Sequence, residues 1–294
     1  MISLSNAPSH NAFYVDKNIT SWYQDGSLWD RINGTNGYDE FEGIFPGCTF
    51  NMSRAITAPS AGGATSSDAS RDPKIAILGC NSLLKNGLIN NTLPPDYEKG
   101  LVYQMKTNHI VCCPYTHFGH SKMYLNANDT NNGYYNSVLH QQVIGLPSYT
   151  GNISGTINEQ LYAEFGSHLK TVNESFPDKV DTTIVNRRVK FGNSDTLGAT
   201  VRTSGNDYKL IQAVLMSEIE TIGSIVFSSS GWDTGCAKTR FPAFFYSKSL
   251  LENSSWYWLK DISSATTFVT NGTSGIGSTS MNTLTPVRPR FILG

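Results

Sequence analysis

The chain has 294 residues, a formal net charge of -1 and only 15% charged side chains. Since a soluble domain ordinarily carries about a quarter, the sequence offers no basic field to meet a phosphate backbone, and nucleic acid is not expected as a partner. The length suits two domains of ordinary size, and 26 glycines among dense Asn, Ser and Thr favour short strands and turns over long helices.

Reading from the N-terminus, MISLSNAPSHNAFYV has no basic segment followed by an apolar one, so no export signal is expected and synthesis in a cytoplasm is. Residues 1 to about 55 mix aromatics with turn formers, and Trp22, Tyr23, Trp29, Phe41 and Phe45 are expected to bury against later elements. TAPSAGGATSSDASRDP has no periodicity and reads as an exposed loop, a boundary or a flap. KIAILGC and YQMKTNHIVCCPY read as buried strands. Cys48, Cys80, Cys112, Cys113 and Cys236 are odd in number and lack CxxC spacing, which fits neither a disulfide framework nor a zinc site. They read as buried small hydrophobes, with Cys112 and Cys113 on opposite faces of one strand. Asn-x-Ser/Thr triplets, as at Asn18, Asn33, Asn152 and Asn253, are a by-product of this composition and imply no glycan.

His109, His117 and His120 cluster in HIVCCPYTHFGHSKM, but no Asp or Glu nearby completes a ligand set, so structural histidines and no metal are expected. YYNSVLHQQVIG offers a weak helix. GTINEQLYAEFGSHLK offers a strong one over 157–170: Thr156 and Glu159 form a capping box, and Ile157, Leu161, Phe165 and Leu169 recur every four residues. Leu210 to Met216 reads as a strand that meets a second capping box, Ser217 with Glu220, and turns into a short helix. Glu159, Glu164, Glu218 and Glu220 are the acids available for acid/base work, and capping already accounts for Glu159 and Glu220. FSSSGWDTG supplies Ser228, Ser229 and Ser230 without a GxSxG elbow, and Trp232 within it reads as core or rim. No stretch approaches the ~20 apolar residues of a membrane span, so membrane insertion is not expected.

The chain closes with two strand candidates, SSWYWLKDI and TPVRPRFILG. Trp256 and Trp258 should share one face with Tyr257 on the other, while Pro289 marks a strand edge or bulge and places Arg288 and Arg290 on one side. Between the strands, 269–283 offers hydroxyls and amides and little to bury. Two readings stay open: a plain connection, or a recognition loop held by a Trp-rich frame. On the second, the side chains expected to face a ligand are Tyr257, Asn271, Thr273, Ser274, Ser278, Thr279, Ser280 and Asn282.

The order of these pieces resembles the C-type-lectin-like domain of bacteriophage receptor-binding proteins and of the variable proteins of diversity-generating retroelements. The resemblance is carried by Leu215-Met216-Ser217-Glu218, then Trp256, Trp258, Leu259 and Lys260, then Val287-Arg288-Pro289. HFGHSKM and INEQLYAEFGSHLK are similar to segments of gut-phage virion proteins. Lys260 stands where the family has Arg, and the calcium-ligand motif of true C-type lectins is missing. The resemblance implies an α+β fold: a C-type-lectin-like domain with short strands and two or three helices over 101–294, displaying 269–283, preceded by a β-rich attachment or packing region over 1–100. It also implies a non-enzymatic virion surface protein on a tail fibre, tail tip or head fibre, without cofactor or metal. Its partners would be a bacterial surface receptor or glycan and other virion proteins, and a trimer is the oligomer such proteins imply. A capsid-decoration or collar protein is the alternative. A formylglycine-generating-type enzyme is disfavoured, because after Cys113 only Cys236 remains where that chemistry needs a cysteine pair.

Overall fold

The structure, a computed structural model, describes residues 10–59, 73–82, 107–123, 133–149, 155–176, 179–191, 194–204, 207–223, 240–252, 256–264 and 266–294. Cys236, most of the loop 57–73 and the FSSSGWDTG segment lie outside these. The protein is α+β, with short helices packed around antiparallel strands.

The centre is a five-stranded antiparallel sheet. In chain order its strands are β1 (Thr49–Asn51), β2 (Lys74–Cys80), β3 (Ile110–Pro114), β9 (Ala213–Leu215) and β14 (Pro289–Leu293), and their spatial order is β1-β2-β3-β14-β9. Cys112 of β3 faces Ile77 of β2 and Phe291 of β14, and Arg290 faces Val214 of β9. All five residues of β3 and of β14 are buried. Both faces of the sheet are covered, which is why these strands, Arg290 apart, are apolar instead of alternating. The same coverage buries both Cys112 and Cys113 on their opposite faces, and Cys48 and Cys80 are likewise free and buried. Pro289 opens β14 opposite Leu215, a first-residue position where a missing N–H does not break the ladder.

The sheet corrects two expectations about the N-terminal part. A division at residue 100 would cut through it, since β2 pairs with β3 across that point. Nor is the described part of 1–100 chiefly strand: α1 (Thr20–Gln24) and α2 (Ser27–Asn33) precede β1 and β2. Turn-forming residues start these helices. Asn18 Oδ1 accepts the Thr20 N–H at 2.9 Å, Asp25 Oδ1 accepts the Ser27 N–H at 2.9 Å, and Gly26, at φ 83°, makes the break between the two. Of the five aromatics expected to bury here, Phe41 is buried and Trp22, Tyr23, Trp29 and Phe45 are half-buried against the core; Tyr23 packs against Phe50 and Phe165, and Phe165 stacks on Phe291 of the central sheet.

Around the sheet lie β4 (His120–Ser121), a π-helical turn over Leu139–Ile144 in the weak helix candidate, and α3 (Ile157–Phe165), followed by a single 3-10 turn, Gly166–His168. Both halves of the Thr156/Glu159 capping box form. The helix stops five residues short of its expected end because Gly166, at φ 55°, takes the chain out of the helical region. Leu169 stays buried by bridging to Leu293 of β14. Two antiparallel strand pairs that composition did not reveal follow: β5 (Val172–Phe176) pairs with β8 (Asp207–Ile211), and β6 (Lys179–Phe191) with β7 (Ser194–Ser204). After β9, Ser217 and Glu220 close the second capping box and start α4 (Glu218–Ile222), the strand-to-helix step read from the sequence. Then come α5 (Pro242–Tyr246) and α6 (Lys248–Glu252). The second sheet comprises β10 (Tyr257–Ser264), β11 (Thr267–Gly272) and β12 (Gly275–Ser280), and β13 (Thr285–Pro286) pairs with β4. No helix among the described residues is long and apolar enough to cross a membrane.

Irregular segments are held by side-chain amides that copy the backbone. Asn11 donates to the Cys80 carbonyl at 2.7 Å and accepts the Cys80 N–H at 2.8 Å. Gln160 does the same with Thr57, at 2.6 and 2.9 Å, and Gln212 with Ser148, at 3.1 and 2.9 Å. Each pair supplies the two bonds a neighbouring strand would give, satisfying backbone groups that no ladder reaches.

Candidate functional site

The span expected to be a displayed loop, 269–283, is a β-hairpin. Thr270 pairs with Gly277, Val269 with Ser278 and Gly272 with Gly275, and only Thr273 and Ser274 turn the chain. Gly275 has φ 101°, a conformation that a side chain strains, so glycine belongs just after the turn. Thr, Ile and Val suit a pleated surface once a partner strand exists.

Two of the residues expected to face a ligand are interior. Tyr257 is 0% exposed and Asn271 1%. They face each other across β10 and β11. Asn271 Nδ2 donates to the Tyr257 hydroxyl at 2.8 Å, and that hydroxyl donates to the Leu251 carbonyl at 2.8 Å. Burial pushes the Tyr257 phenol above its usual range, against the opposing pull of the Arg288 charge and the Asn271 bond, so it stays protonated. Thr279 is half-buried with its hydroxyl 3.2 Å from that of Thr270. Thr273, Ser274, Ser278, Ser280 and Asn282 are exposed, and Ser280 Oγ donates to Asn282 Oδ1 at 2.7 Å.

The anchors beneath are large and fully buried. Trp258 packs edge-on against Phe268, with centroids 6.4 Å apart, and its indole N–H donates to the Ser121 carbonyl at 2.8 Å. Arg288 reaches the carbonyls of Pro114 (3.1 Å), Tyr115 (3.3 Å), Leu250 (2.8 Å) and Leu251 (3.5 Å), with the Tyr257 ring 5.1 Å from its guanidinium carbon. It ties the end of β3 and α6 to the floor of the hairpin. Arg290 instead pairs with Glu220 at 3.0 Å, both side chains buried, so the closing strand carries a buried guanidinium ion pair although Lys260 stands at the position where the resemblance put one. Lys260 is itself buried, and its N–H donates to the Met216 carbonyl.

Trp256 differs from its neighbour. It is 37% exposed and lies across two glycines of the hairpin. A Cβ at Gly272 would stand 2.8 Å from its Cδ2, and one at Gly277 would stand 3.0 Å from its Cζ3. Gly277 pairs with Thr270, and Thr270 with Trp258, so both indoles take the same side of the sheet, one sealed and one at the surface. The surface role of Trp256 was missed, because the two glycines come under the ring only in the hairpin register.

Among the described residues, several other polar groups hold segments of the fold together. Glu164 accepts from the Tyr23 hydroxyl at 2.6 Å, from Ser53 and from Arg54, joining α3 to the N-terminal segment. Glu159 and Glu220 serve their caps, and the Glu218 N–H donates to Asp261 Oδ2 at 2.7 Å. His117 and His120 meet edge to face at 4.8 Å, and among the described residues no group of three His, Cys, Asp or Glu is placed to hold a metal ion. His109, fully buried with Nδ1 against the Thr107 carbonyl, has its pKa lowered to about 4 by desolvation. Burial raises the thiols of Cys48, Cys80, Cys112 and Cys113, which keeps them protonated.

No protein-family model, curated protein or solved structure matches this chain.

Proposed function

We propose that this protein is a non-enzymatic bacteriophage virion surface protein, on a tail fibre, tail tip or head fibre, that contacts a bacterial surface receptor or glycan through the β11–β12 hairpin. The frame beneath would be C-type-lectin-like. The order of pieces that carries this likeness is a strand running into a capped helix at Ser217, a Trp-bearing strand in a second sheet, and a closing strand that lies inside the first sheet. One observation carries the functional reading. An uncharged, hydroxyl-rich edge, with Thr273, Ser274, Ser278, Ser280 and Asn282 exposed, stands on fully buried Tyr257, Trp258 and Asn271. Function gathers on exposed segments that a rigid scaffold positions, and short polar groups beside an aromatic suit adaptable recognition. Display in several copies, with a trimer as the form implied by the resemblance, would multiply weak contacts.

The test is adsorption of the full chain to host cells by wild type and by the combined Thr273→Ala, Ser274→Ala and Ser278→Ala variant. These exposed positions leave stability within about 0.5 kcal/mol, so the expected result is an unchanged unfolding midpoint with at least a tenfold loss of adsorption. Unchanged adsorption refutes the reading. A purely structural role on the capsid or collar is favoured by a different observation: Phe13, Phe245 and Tyr246 are 56%, 68% and 46% exposed, Phe245 and Tyr246 meet edge to face, and the Tyr246 hydroxyl donates to the carbonyl of Ala12, next to Phe13 in the chain.

A further inference from the structure

We infer that Trp256 is a stacking platform for the ring of a neutral hexopyranose, making an uncharged surface polysaccharide the ligand of the hairpin; this rests on the receptor-binding reading above. The indole is supported from one side by the glycine backbone. Its Cγ and Cδ2 lie over Gly272, and its Cζ3 and Cη2 over Gly277. No Cβ could fit beneath the ring without displacing it, so the glycines fix its tilt and height, and the residue keeps 37% of its surface exposed. A flat aromatic face with its negative quadrupole suits the C–H-bearing face of a pyranose, and the bicyclic ring is close to a sugar in size. Because tryptophan has two side-chain torsions and these are already restrained, little entropy is lost on contact.

The border of the ring fits the polar rim of the same ligand. Thr273 and Ser274, which follow Gly272 and precede Gly275, are exposed at the turn and offer hydroxyls that both donate and accept, as sugar hydroxyls do. Charge chooses among glycans. Between Asp261 and Arg288 the sequence has no charged side chain, so nothing on the hairpin would pair with a uronate or phosphate group, and desolvating either would go uncompensated. A neutral hexose polymer avoids that cost.

The experiment places the full chain, as wild type, Trp256→Ala and Trp256→Tyr, on an array of neutral and acidic bacterial polysaccharides, and measures adsorption of the same proteins to host cells. The expected result is wild-type retention on neutral hexose polymers, at least tenfold weaker retention by Trp256→Ala at an unchanged folded fraction, and partial retention by Trp256→Tyr, which keeps a flat face. A ring needed only to cover its glycines would change the unfolding midpoint, and retention would follow the folded fraction; that outcome overturns the inference. So does retention confined to acidic polymers, or no retention on any. If cell adsorption still falls with the Thr273, Ser274 and Ser278 substitutions while Trp256→Ala adsorbs normally, receptor binding stands and the sugar platform fails. If wild type does not adsorb at all, both fail.

Discussion

Replacing Trp258 by alanine removes a fully buried indole that does two jobs at once. Its ring closes edge-on against Phe268, and its N–H satisfies the Ser121 carbonyl beside the short β4–β13 pair. Truncating a buried large aromatic costs about 3–5 kcal/mol from lost transfer energy and the cavity left behind. An orphaned buried carbonyl costs about 1–3 kcal/mol by itself. The two overlap, because a cavity that admits water would also hydrate the carbonyl, so the expected total is about 4–5 kcal/mol. Trp258→Phe keeps an aromatic edge toward Phe268 and loses the donor and part of the volume, for about 1–3 kcal/mol. Urea unfolding followed by far-ultraviolet circular dichroism reads both values by linear extrapolation without depending on the tryptophan signal being altered. An alanine variant that loses less than about 1.5 kcal/mol, or a phenylalanine variant as costly as alanine, would show that the indole does not hold the second sheet against β4.

Asn271→Ala should destabilise by about 1–3 kcal/mol, because it strips a donor from the buried Tyr257 hydroxyl; an unfolding midpoint unchanged from wild type would return Asn271 to the surface. His109 sets a pH dependence. Its pKa is about 4 in the folded protein against roughly 6.5 unfolded, so between these values the unfolded chain binds a proton that the folded one excludes. Its stabilising effect is therefore complete above about pH 6.5 and is lost as pH falls toward 4, amounting to about 2 kcal/mol between pH 7 and 5. Urea unfolding at the two pH values should show His109→Asn losing about that much less than wild type, and equal losses would refute the assignment.

The features legible in the sequence were those whose cause lies within a few residues. Both capping boxes formed because Thr156 with Glu159, and Ser217 with Glu220, satisfy each other locally. KIAILGC, IVCCP and PRFIL could be read as strands because both faces of the central sheet are covered. What depended on distant partners was hidden. TNGTSGIGSTS looks like a loop until β10 offers β11 an edge to pair with. Asn271 looked like a surface residue because the group it satisfies, the Tyr257 hydroxyl, comes from elsewhere, and the carbonyls from 114–115 and 250–251 that hold Arg288 are equally distant in sequence. Of the eight side chains expected at the surface, Tyr257 and Asn271 are interior and Thr279 is half-buried. Trp256, expected to clamp alongside Trp258, is the aromatic that reaches solvent.

The amide pairs at Asn11, Gln160 and Gln212 give the molecule an unusual kind of fragility. Each joint depends on one carboxamide presenting a donor and an acceptor side by side. Exchanging a single NH2 for an oxygen, as in Gln160→Glu or Asn11→Asp, would point a carboxylate at the Thr57 or Cys80 carbonyl and turn attraction into repulsion with almost no change in shape. The same chemistry happens spontaneously when amides hydrolyse with age, so slow deamidation would unfasten such joints one at a time.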